Sequence, residues 1–451
     1  MTHIFYSSGE NNERFVWVVF AIALLSVTTI MIANVIAQTY NTVHTSLTLA
    51  LRMILFISSI AIYSICQFFL LRYVRNETRS LFENKTNLKK IHIGIKLIQL
   101  LFILGMAFFI IDLTFESKYS LIMIIFSTTV SYSCASVLML ILSFKLFHWI
   151  SRGRSKTVLL YAISSLLLAF NLVSSLIYEN ISLFNLAGSL DANGLYLGES
   201  PGNNARHTVS NIAVKYLYLV SSISAFIANW LAAATLLRTY YTKNQILFWI
   251  LMIIPMFIFI SQYTPFLLLI LEQIYDSPGI IILGYTIAYT IVESVGGILI
   301  GISFWITGRT IKNPRIKNYM YISAVGYVLL FSSNYAINAA SSSYPPFGLV
   351  GILYVGLSAY LIFIGIYSAA LSMAHNNELR RFVKKSIKNE GILGDIGTSE
   401  KYLEIENNVM GASKKLSSEL RLQTGLGPTL DDAEIKQYVE EIISEIRSNK
   451  A

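Results

Sequence analysis

The sequence predicts an all-α fold: a polytopic helical membrane bundle of about ten transmembrane helices, followed by a short cytoplasmic helical-hairpin tail. Three observations lead there. Of the 451 residues, 55% are hydrophobic and only 13% are charged, a balance that would leave a water-soluble chain with large exposed apolar patches. Apolar runs of about 20 residues, enough to cross a hydrocarbon core roughly 30 Å thick, recur along most of the chain. The polar segments between those runs alternate in charge.

Read to their flanking charged or turn residues, the runs fall at 15–38, 45–71, 94–113, 119–142, 157–178, 209–237, 245–271, 279–307, 316–340 and 347–372. The loops after the second, fourth, sixth and eighth runs, counted with Lys317 at the edge of the ninth, carry sixteen Lys and Arg residues, whereas the other set carries only Lys118 and Arg206. This positive-inside bias places both termini in the cytoplasm of a cell-membrane protein. Residues 1–14 then form a cytoplasmic N-terminal segment and 15–374 the transmembrane domain. "ANVIAQ", at the end of the first run, has the small residues of a signal-peptidase site, but the segment before it holds one Arg and two Glu, so the run is expected to stay as a span.

The formal net charge of +9 comes from the membrane domain, which sums to +10, while the tail from His375 sums to −1. Such a charge suits anionic lipid headgroups, and no basic groove with interleaved aromatics points to nucleic acid. Cys66 and Cys134 both fall within runs, with no CxxC spacing, and read as small buried hydrophobes.

The longest outer connection, 179–208, contains "DANGLYLGESPGNNARH", whose Gly, Asn and Pro content predicts turns with no regular element. Asn180-Ile181-Ser182 in it matches a glycosylation sequon. The loop divides the chain into five runs and five, the arrangement of inverted-repeat transporters, but the halves share neither loop lengths nor broken helices.

After the last run, residues 375–398 form a basic juxtamembrane helix and linker. Its Arg380, Arg381, Lys384, Lys385 and Lys388 are expected at headgroup level, as anchors or as an anionic-lipid site. Residues 399–451 then read as a helical hairpin. Tyr402, Ile405, Val409, Ala412 and Leu416 repeat at helical spacing; Gly425, Gly427 and Pro428 stop that helix, and Thr429 starts another with Asp431, Asp432 and Glu434 in its first turn. Two short amphipathic helices bury little alone, so the hairpin is expected to dock on itself, on a second copy of the chain or on a protein partner.

The chain carries no phosphate loop, no HExxH, no GxSxG and no cofactor motif, and its six histidines are too far apart to share a metal. The polar residues inside the runs remain. In "IVESVGGILIG", Glu293 lies fourteen residues from both Gly279 and Thr307, about 21 Å of helix each way, which places it at the bilayer midplane. Its face carries Tyr289, Thr290, Gly296 and Gly297, and Gly297 with Gly301 forms a GxxxG pair that admits a close helix neighbour. Gln262 follows Pro255 in the seventh run; Asn334 and Asn338 lie one turn apart in the ninth; Arg52 and Lys215 lie near the outer ends of the second and sixth. Together these residues predict a polar cavity opening outward from Glu293, because charged groups at this depth need a partner, water or a role.

Two functions follow. The favoured one is a receptor-like or signalling scaffold that binds a small ligand in the cavity and relays the change through the tenth helix to the tail. The alternative is a secondary transporter with Glu293 as its proton- or cation-coupling carboxylate. An accessory subunit of a larger membrane complex is a further reading, and an embedded enzyme the least supported.

Overall fold

The computed structural model describes residues 18, 21–32, 49–84, 86–116, 119–153, 156–188, 196–197, 209–238, 245–261, 279–311, 313–334 and 345–375. In chain order its helices are α1 (Ala21–Ile32), α2 (Leu49–Asn84), α3 (Thr86–Glu116), α4 (Leu121–Gly153), α5 (Lys156–Gly188), α6 (Val209–Arg238), α7 (Gln245–Ser261), α8 (Gly279–Thr310), α9 (Pro314–Asn334) and α10 (Gly348–His375). Two short strands, β1 (Tyr119–Ser120) and β2 (Tyr196–Leu197), pair antiparallel, with Tyr119 opposite Leu197. Each expected apolar run coincides with part or all of one helix, as it must where no water is present to satisfy open backbone groups.

Among the described residues six helices are long and apolar enough to cross a membrane: Ala50–Arg79, Thr86–Phe115, Leu121–Ile150, Val158–Phe184, Ala213–Leu237 and Gly348–Ser372. Shorter apolar stretches occur at Ala21–Ile32, Phe248–Phe257 and Ser294–Arg309. These lengths and compositions suit a helical membrane protein. The tail hairpin at 399–451 lies outside the described residues.

Two compact units divide the chain, Met1–Leu146 with Leu159–Ala369, and Phe147–Val158 with Ala370–Ala451. The described part of the second unit consists of the end of α4, the start of α5 and the end of α10, with Trp149, Val158, Ala370 and Leu371 buried.

The sequence pattern of α3 shows how the bundle is built. Leu88, His92, Ile95, Gln99, Phe102, Met106, Phe109 and Leu113 are all buried and alternate in spacing between four and three residues, the period of a single packing seam. Around that seam Ile93, Leu97, Leu100, Leu104, Phe108 and Ile111 are exposed. A helix in water would carry polar residues there; an aliphatic outer face fits lipid.

α10 is the opposite case, buried along the whole of Gly348–Ser372, with no charged side chain in that stretch. Glycines bring its neighbours close. A methyl group at Gly326 of α9 would come within 2.8 Å of the Ile362 backbone nitrogen, and one at Gly365 of α10 within 2.7 Å of the Tyr319 carbonyl. The pair picked out in the sequence acts likewise: a methyl at Gly297 of α8 would fall 2.8 Å from the Tyr327 carbonyl, and one at Gly301 3.0 Å from that of Ala324. The GxxxG face of α8 therefore packs on α9. Asn313 caps α9, accepting from the amides of Arg315 (2.9 Å) and Ile316 (3.3 Å), with Pro314 at the first helical position.

The outer connection departs from its expected form. α5 does not stop at 178 but runs through Gly188, and Tyr196–Leu197, inside the turn-rich segment, pairs with β1. The physical reason is the buried stripe of α5. Leu172, Ser175, Glu179 and Leu183 continue it at three- and four-residue spacing past the point where a carboxylate had marked the end of the run. The sequon is part of the same helix: Asn180 is half-buried and donates from Nδ2 to Thr129 Oγ1 at 3.3 Å, unlike an acceptor in an open loop.

Candidate functional site

Most of the expected site residues lie outside the described part of the structure. Tyr289, Thr290 and Glu293 lie in α8, and Asn334 ends α9, but their side chains lie outside the described residues. Gln262, Asn338, Arg380, Arg381, Lys384, Lys385 and Lys388 fall outside them altogether. Arg52 is buried in the first turns of α2, whereas Lys215 is exposed on α6. Among the described residues no group of His, Cys, Asp and Glu could hold a metal ion.

A different carboxylate is embedded in the described bundle. Glu179 of α5, 2% exposed, lies inside the apolar stretch Val158–Phe184 and within electrostatic reach of the fully buried Tyr132 of α4. Thr128 is one turn before Tyr132 on α4; its hydroxyl is buried and has no hydrogen-bond partner. The Thr129–Asn180 pair joins the two helices beside them. A buried carboxylate inside an apolar stretch is costly unless it is paired, hydrated or protonated, which makes Glu179 a candidate functional position.

On the same helix, polar contacts reach toward α6. Ser175, one turn earlier on α5, donates to the Asn171 carbonyl at 2.8 Å, and Asn171 Nδ2 donates to Ser221 Oγ of α6 at 3.3 Å. Tyr178 stacks on Tyr218 with ring centroids 5.4 Å apart.

On its other side α4 engages α10. Ser131, the residue before Tyr132, donates from Oγ to the Ile352 carbonyl at 2.6 Å and accepts from the Gly356 amide at 3.1 Å. Residues 352 and 356 are the acceptor and donor of one helical hydrogen bond. The Ser131 hydroxyl thus bridges the two ends of one turn of α10.

α10 is held on its α2 and α3 side as well. Tyr63 donates to Gln99 Oε1, and its ring meets Tyr354 edge-on at 4.8 Å. The Tyr354 hydroxyl sits beside the Cys66 thiol and Ser26 but does not reach hydrogen-bond geometry with them. Gln67 Oε1 is buried without a partner. Further along, His92 Nδ1 and the Tyr360 hydroxyl share a hydrogen bond of 2.7 Å. Cys66 is buried and Cys134 half-buried, and both are free thiols.

Sequence reasoning missed Glu179, His92 and Gln99, although a signal for each existed. All three sit on the three-and-four stripes that their helices bury.

Apart from one two-residue strand pair, the described residues are thus almost all helical, with long apolar helices that suit a bilayer and buried polar contacts around α10. No protein-family model matches it, and neither do any curated protein or solved structure.

Proposed function

We propose that this protein is a receptor-like membrane relay. A small ligand or a proton acts at the Glu179–Tyr132 cluster, and α10 carries the change to the tail. The observation that carries this reading is the Ser131 hydroxyl, one residue from Tyr132 and seated between Ile352 and Gly356 of α10. A shift of α4 at Tyr132 moves that hydroxyl, and α10 continues through Ala370, where the second compact unit begins. Such a linkage needs two arrangements that the input favours unequally. In this reading the helices cross the cell membrane about ten times with both termini cytoplasmic, and Glu293 and the polar residues near it contribute to the ligand site.

The test uses the full chain in nanodiscs, with hydrogen exchange of residues 399–451 as readout. Glu179→Gln is expected to alter that exchange, and to lose its effect once Ser131→Ala has removed the key to α10. Identical exchange in the wild type, both single variants and the double variant would refute the relay.

A second reading, a proton- or cation-coupled transporter, is favoured by the same carboxylate inside an apolar helix and by Pro255 within α7. In that case proteoliposomes show pH-driven flux that Glu179→Gln or Glu293→Gln abolishes.

A further inference from the structure

The outer faces of α2 and α3 change character along their length. On α2 the exposed residues pass from Ile65, Phe68 and Phe69 to Arg72, Arg75 and Arg79. On α3 they pass from Lys89, Lys90 and Lys96, with Ile93 exposed among them, to Leu97, Leu100, Leu101 and Leu104. α2 ends at Asn84 and α3 begins at Thr86, and the two helices pack together. Arg75 and Lys96 both lie within electrostatic reach of His92, so the two changes come at about the same height. Thr86–Leu100 contains no acidic residue, and Glu77, the one acid between Arg72 and Arg79, is turned toward Asn318 and Arg315 of α9.

Cations from two helices directly above a continuous aliphatic face match a phosphate group above acyl chains. His92, held by Tyr360, is the buried floor between them. We propose that the α2–α3 face is a binding site for an anionic phospholipid, with the headgroup phosphate between Arg75 and Lys96 and the acyl chains along Leu97, Leu100 and Leu104. Occupancy of this site bears on the buried network through the His92–Tyr360 contact with α10.

Native mass spectrometry of the full chain in detergent tests this, titrating phosphatidylglycerol against phosphatidylcholine of the same chain length. The wild type is expected to retain phosphatidylglycerol preferentially. Arg75→Gln with Lys96→Gln should weaken that preference roughly tenfold or more, given about 1 kcal/mol for each cation near an anionic headgroup. Either single variant should fall between, Arg75→Lys with Lys96→Arg should restore the preference, and Lys145→Gln, exposed on α4, should leave it intact. Equal retention of the two lipids by the wild type, or an undiminished preference in the doubly neutralised chain, overturns the proposal. So does full competition by millimolar inorganic phosphate, which would identify a free-anion site.

Discussion

At the scale of single residues, glycines divide into those that the fold needs and those it merely contains. A methyl group at Gly301 would meet the Ala324 carbonyl at 3.0 Å and the Val328 side chain still more closely, whereas one at Gly94 of α3 meets nothing within 4 Å. Gly301→Ala therefore has to push α9 away from α8 and is expected to destabilise the protein by about 1–3 kcal/mol. Gly94→Ala removes only the conformational freedom of glycine in a helix and should stabilise by up to about 1 kcal/mol. Denaturation of both variants in mixed micelles, followed by circular dichroism, checks the opposite signs. The GxxxG spacing was readable in the sequence because small residues one turn apart are visible without knowing the partner. That the partner is α9 was not readable, because packing depends on which helix happens to lie alongside.

At the scale of elements, α3 shows what a bilayer does to the usual burial pattern. Its seam and its outer face are both apolar, so hydrophobicity alone does not separate them, whereas spacing does: the seam is Leu88 to Leu113 in steps of four and three. The prediction is a contrast between neighbours. Phe102→Ala, on the seam, should cost about 3 kcal/mol or more through the cavity it leaves, while Leu104→Ala, 63% exposed, should change folding stability by less than about 0.5 kcal/mol. Unfolding titrations in mixed micelles decide it, and comparable losses at the two positions would remove the lipid-facing assignment of Leu104. The helices themselves were legible because apolar length is a direct physical requirement of crossing hydrocarbon. Glu179 was not, since a carboxylate at the end of an apolar run reads as the end of a span. Only the buried stripe continuing to Leu183 shows that α5 carries the carboxylate inward. His92 lay just before the expected start of the third run at 94, and was passed over for the same reason.

At the scale of the whole molecule, charge and helix count make one joint prediction. The loops holding Lys85 and Lys312 belong to the basic set, and the loop holding Glu199 to the other. Three runs separate Lys85 from Glu199, and three more separate Glu199 from Lys312, so the reading with every run crossing the membrane puts residues 85 and 312 on one side and 199 on the opposite side. The test replaces Cys66 and Cys134 with Ala and introduces one cysteine at a time by Lys85→Cys, Glu199→Cys or Lys312→Cys. A membrane-impermeant maleimide applied to sealed spheroplasts is expected to label only the Glu199→Cys protein, and the pattern should invert in inside-out vesicles. α7 is the informative element, because its described part, Gln245–Ser261, is shorter than the six membrane-length helices and contains Pro255. If α7 fails to cross, residue 312 moves to the side of residue 199 while residue 85 stays where it was. Labelling of the Glu199→Cys and Lys312→Cys proteins together in spheroplasts would therefore reject the even number of crossings between the two basic loops, and with it the placement of both chain termini on one side.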